Sequence, residues 1–172
     1  MATPTLQAGS IDILMSLSVR LASNTNAVPD TLSPGSTLFP TLRKTLQSGT
    51  GSNKASKGWW DKRTIGAGLD DDLNLLALRS MVYDYTWSFS LIKWLLIRVR
   101  DALTGQYVTL GNATTDPWQG WFGAATATET VYGTLFKENQ IDGWTVTQGS
   151  RVLRLHNNYT ASVNVDVVLV GQ

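Results

Sequence analysis

Residues 162–170 read SVNVDVVLV, with Val163, Val165, Val167 and Leu169 on one face and Asn164 and Asp166 on the other. A period of two in β-branched residues marks a strand with one buried face. Upstream, RVLRLHN (151–157) gives a second strand, and Asn157-Asn158 forms the turn between the two. IDGW (141–144) is an Asp-Gly turn, and TETVYGTLF (128–136) alternates again. SLIKWLLIRVR (90–100) is longer and more apolar. Its alternation puts Ile92, Trp94, Leu96 and Arg98 on one side and Lys93, Leu95, Ile97 and Val99 on the other. Its β-branched content and the DALTGQ turn after it favour a buried strand over a helix. Gln106–Leu110 is a short strand, and GNATTDPWQGWFGAAT (111–126) is a long loop.

The first third of the chain is built differently. Residues 1–10 are small and polar and read as an extended arm. IDILMSLSVRL (11–21) places Ile11, Ile13, Met15, Leu17, Val19 and Leu21 at every second position, again a strand with one buried face. SNTNAVPDTLSPG (23–35) is punctuated as a loop by Pro29, Pro34 and Gly35. LFPTLRKTL (38–46) is extended or a single helical turn, and QSGTGSNKASKG (47–58) has loop composition before WWDKRTI returns to extended structure. The expected architecture is an all-β, antiparallel β-sandwich, jelly-roll-like, with an arm over 1–10. A single domain spans 11–172, with a long flexible basic loop at about 47–63.

Composition narrows the function. The 172 residues suit one domain with a real core. Fourteen Lys and Arg against thirteen Asp and Glu give +1, so no global field points to nucleic acid or to a membrane surface. No cysteine is present, which excludes disulfides, thiolate zinc sites and a cysteine nucleophile. The N-terminus lacks the pattern of a signal peptide, and the longest apolar run, Leu91–Val99, is too short to span a bilayer. These features lead us to expect a soluble protein made in a cytoplasm.

The stretch LDDDLNL (69–75) poses the question of an active site. Asp70, Asp71 and Asp72 alternate in direction if extended, so all three cannot converge on one ion. His156 is the only histidine, and no nucleophile-elbow, metalloprotease or P-loop pattern is present. Glu129 and Glu138 have no spacing that demands a glycosidase pair. No catalytic, metal or cofactor site is therefore expected. Interface residues are better candidates. Trp118 and Trp121 lie in a Gly- and Pro-flanked loop, suited to stacking on a sugar or anchoring a protein. Trp59 and Trp60 adjoin Lys62 and Arg63 in a segment where six cations face the single acid Asp61. Tryptophan and arginine are enriched at binding hot spots.

Two groups of motifs, KRTIGAGLDDDLNLLAL followed by LIKWLLIRV, and DGWTVTQGSRVLRLHNN followed by SVNVDVVLVGQ, occur in an order that resembles small β-sandwich virion proteins of tailed bacteriophages. The resemblance covers about residues 62–172, in pattern more than identity, and residues 1–61 depart from it. It implies a capsid cement or decoration protein on the virion surface, often a trimer. The major capsid protein would be its partner, with neither nucleic acid nor membrane bound. A tail-associated or carbohydrate- and receptor-binding β-sandwich module is the competing expectation, resting on Trp118 and Trp121.

Overall fold

A computed structural model describes residues 10–15, 42–79, 86–100 and 105–172. All regular structure among them is strand. The elements are β1 (Ser10–Met15), β2 (Leu42–Ser48), β3 (Lys54–Ala55), β4 (Lys57–Ile65), β5 (Asp70–Asn74), β6 (Leu78–Arg79) and β7 (Thr86–Trp87). They continue with β8 (Leu91–Arg100), β9 (Val108–Gly111), β10 (Thr128–Val131), β11 (Thr134–Glu138), β12 (Trp144–Thr145), β13 (Val152–Asn157) and β14 (Val163–Gly171).

The valine-rich stretch SVNVDVVLV forms most of β14, an inner strand of the larger sheet. It pairs antiparallel with β4 on one side and β8 on the other, while β11 and β12 continue the sheet beyond β8. A second antiparallel sheet runs β10-β9-β13-β5. The inward side chains of both sheets meet in one core: Val163, Val165, Val167 and Leu169 of β14, Leu95 and Ile97 of β8, Leu153 and Leu155 of β13, Val108 and Leu110 of β9. Each such side chain contributes on the order of 1.5–3 kcal/mol by leaving water. This is the antiparallel β-sandwich that the alternation predicts. A further layer, β1-β2-β3, lies in a separate three-stranded sheet, and its Leu46 and Ala55 pack on Trp94 and Val170 at the outer face of the larger sheet.

Several expectations are corrected. The long flexible loop over 47–63 is much shorter. β2 runs to Ser48, a turn spans 49–53, and Lys57–Ile65 form one of the two nine-residue strands. Trp59 and Ile65 are buried on its inner face, but Asp61 and Arg63 occupy inward positions between them, so charge disguises the alternation. TETVYGTLF is two strands in different sheets, with Tyr132 and Gly133 between β10 and β11. The expected arm over 1–10 falls almost entirely outside the described residues, of which Ser10 opens β1. The strand expected over 11–21 is described as far as Met15.

β8 also departs from simple alternation. Val170 is opposite Trp94 and Gly171 is opposite Ile92, so Lys93 is an extra residue in a bulge. Ile92 and Leu95 face the core while Trp94 turns to the outer layer. Lys93 is 1% exposed, and its Nζ donates to the carbonyls of Gly51, Gln140 and Ile141, each at 2.9 Å. Burial lowers its pKa, opposed by the nearby Asp142. Lys93 thus ties the β2–β3 turn to the loop after β11. At the same bulge, a Cβ on Gly171 would stand 1.9 Å from the Leu91 carbonyl oxygen, so no larger residue fits without backbone movement.

Candidate interaction surface

The three aspartates resolve by strand geometry. Asp71 points toward the facing sheet, where Arg63 of β4 donates Nε to Oδ2 and Nη2 to Oδ1, both at 2.7 Å. Arg63 Nη1 also reaches Asp61 at 3.0 Å. The hydrogen bonds that Arg63 donates to Asp71 raise its pKa above the ordinary value against the effect of burial, and Asp61 adds to the rise. Asp70 and Asp72 point the other way. They lie opposite His156 and Arg154 in the β13–β5 register. Arg154 grips both oxygens of Asp72 at 2.8 and 2.9 Å and contacts Asp70 at 3.1 Å. His156 Nδ1 is 2.6 Å from Asp70 Oδ1. The pair with Asp72 raises the Arg154 pKa. Each carboxylate is therefore matched by a cation or by the imidazole.

A cleft of about 340 Å³ opens along this edge, beside Lys62, Thr64, Gly66, Leu69 and Asp70, and includes the Arg63–Asp71 pair. Its central charges neutralise each other. Across the sandwich, Lys137 of β11 meets Glu129 of β10 at 2.7 Å. Each open side of the sandwich thus carries an ion pair joining one sheet to the other. Among the described residues, no three His, Asp or Glu side chains converge as a metal ion requires.

The tryptophans divide sharply. Trp59 is 3% exposed, and its indole donates to the Arg79 carbonyl. Trp118 is 1% exposed and donates to the Thr145 carbonyl. Both belong to the core, so neither offers this chain's surface to a partner. Trp121 is partly buried, hemmed in by Trp118, Phe122 and Trp144, with Lys137 over its ring and its Nε1 bonded to Glu129. Those contacts occupy the ring that a sugar would need. Trp60, by contrast, is 60% exposed.

Trp60 belongs to a row across the outer face of the larger sheet. The register places it beside Val168, Leu96 and Phe136 in turn. The next row runs Lys62, Asp166, Arg98, and the one after it Thr64, Asn164, Arg100. Arg98 and Arg100 converge on Asp166 from the same side, donating to Oδ2 and Oδ1 respectively. Burial opposes the Asp166 charge, yet the two guanidiniums hold its pKa below the usual carboxylate value. Lys62 has no ion pair among the described residues, so three cations here face one carboxylate. The sequence brought Trp60, Lys62 and Arg63 together as a loop cluster. The strand separates them, sending Arg63 inward and leaving Trp60 and Lys62 outside. Arg98, Arg100, Leu96 and Val168 join them only through sheet pairing, which local sequence does not announce.

Against known proteins, the chain matches no family model and no curated sequence.

Proposed function

We propose that this chain is a virion structural protein, a capsid cement or decoration protein that binds the assembled shell and stabilises it, associating with itself as a trimer. The observation that supports this reading is the way the sandwich uses its charges. The aspartates that most resembled a catalytic cluster serve instead to join strands and sheets. The chemistry left at the surface is that of binding: an exposed tryptophan in an apolar row, with an excess of cations beside it. The order of motifs that resembles tailed-phage virion proteins supports the same reading, with the major capsid protein as partner.

The mechanism is mass action. A chain that binds assembled shells in preference to free subunits stabilises assembly by about 2.7 kcal/mol per site when its free concentration is a hundred times Kd. The test adds purified chain to shells prepared without it and follows the temperature of shell disruption. A saturable rise is expected. Shells that bind no chain and melt unchanged would refute the proposal.

A further inference from the structure

Among the described residues, the outer face of the five-stranded sheet is covered over only part of its extent. Toward the C-terminal end of β14, Leu46 and Ala55 of the outer layer close over Trp94 and Val170. One row on, Val168 and Leu96 are partly buried and Trp60 is exposed, and beyond them lie Lys62, Arg98 and Arg100. An exposed indole continuous with a covered apolar patch is the arrangement of an interface anchor rather than of a stray surface residue.

Charge selects the occupant. Strands in a sheet lie about 4.8 Å apart, so Lys62 and Arg98, two strands apart, stand about 10 Å from each other across Asp166. The single carboxylate is already engaged by Arg98 and Arg100. A second copy presenting this face would bring like charges together. The face suits instead a surface with carboxylates spaced along an apolar strip.

We infer that the exposed part of this sheet face, centred on Trp60 with Leu96, Val168, Lys62, Arg98 and Arg100, is the docking surface for an acidic, apolar-flanked segment of a partner protein. This rests on the binding role proposed above, for which it identifies the contact face and the chemistry of the partner. Trp60 supplies the apolar contact and Lys62 a charge that has no ion pair among the described residues. The Arg98–Asp166–Arg100 cluster fixes the geometry of the remaining donors. Attraction between exposed charges is screened over about 8 Å at physiological salt, so affinity falls as salt rises.

The test uses the full chain with two probes: a short acetylated peptide alternating glutamate and valine, and shells prepared without the chain. Titration calorimetry with amide NMR is expected to show the acidic peptide binding, with shifts centred on residues 60, 62 and 98. The lysine–valine counterpart is expected not to bind. Trp60→Ala and Lys62→Glu should each weaken both peptide and shell binding at least tenfold, whereas Thr130→Ala, on the outer face of the other sheet, should change neither. Both side chains are exposed, and an unchanged melting temperature confirms that the variants fold. Shell binding that survives both substitutions would overturn this assignment and leave the cement reading intact. Acidic-peptide binding that both substitutions abolish, in a chain that no shell binds, would uphold the surface and remove the cement reading. Equal binding of the two peptides, or of neither, would overturn the assignment.

Discussion

Asp71→Asn tests whether the aspartate run is structural. The carboxylate takes two hydrogen bonds of 2.7 Å from Arg63, the side chains being 18% and 33% exposed respectively. Hydrogen bonds to charged groups contribute about 1.5–3 kcal/mol each when well buried. Here solvent reaches a third of the guanidinium, and Asp61 remains as a second partner at 3.0 Å. The pair is therefore expected to contribute about 1–2 kcal/mol, between the values for an exposed ion pair and for a fully buried charged hydrogen bond. For a domain of this size that corresponds to a fall in Tm of roughly 2–8 °C. The assay is a double-mutant cycle with Arg63→Met, followed by urea unfolding. A coupling energy near 1–2 kcal/mol with an unchanged m-value is the expected result. A coupling indistinguishable from zero would refute the cross-sheet role. So would a Tm that rises with calcium or magnesium in the parent and not in Asp71→Asn, because the carboxylate would then be serving a metal ion.

Lys93→Met removes three donors but orphans mainly one acceptor, since Gly51 keeps the Gln172 amide and Gln140 keeps the Asn53 amide. A loss of about 1–3 kcal/mol is expected in urea unfolding, with hydrogen exchange accelerated first at the 49–53 and 139–143 turns. Unchanged exchange there would show that the lysine does not tie them together. Gly171→Ala sets a Cβ against the Leu91 carbonyl, and the soluble yield or Tm should fall sharply; a variant as stable as the parent would contradict the bulge geometry. Asp166 has a folded pKa below its unfolded value of about 3.8. Its stabilisation is therefore complete above the unfolded value and lost as pH falls through the folded one. The stability gap between the parent and Asp166→Asn should be full near neutrality and close in strong acid; a gap constant with pH would refute the linkage.

The sandwich was legible because β13 and β14 carry apolar residues at every second position, as in Val163–Leu169. β4 was legible in part: WWDKRTI reads as extended, but its buried face is masked because Asp61 and Arg63 sit at inward positions, where they pair with each other and Arg63 pairs with Asp71 on the facing sheet. The β8 bulge was hidden for a related reason. Strict alternation assigned Lys93 to the side of Leu95, whereas the extra residue turns it toward three loop carbonyls that lie far away in sequence. Trp60 and Lys62 were readable as interface candidates from composition. Trp59 and Trp118 were not separable from them, because an indole looks the same in sequence whether it fills a core or faces solvent. The partners of Trp60 come from β14, β8 and β11, so the face exists only once the register is fixed.

The central claim, that the chain is a structural component of a virion shell, is tested most directly by its copy number in purified particles, measured by quantitative mass spectrometry against the major capsid protein. A number comparable with that of the capsid protein is expected, as shell-wide docking requires. Particles devoid of the chain would contradict it.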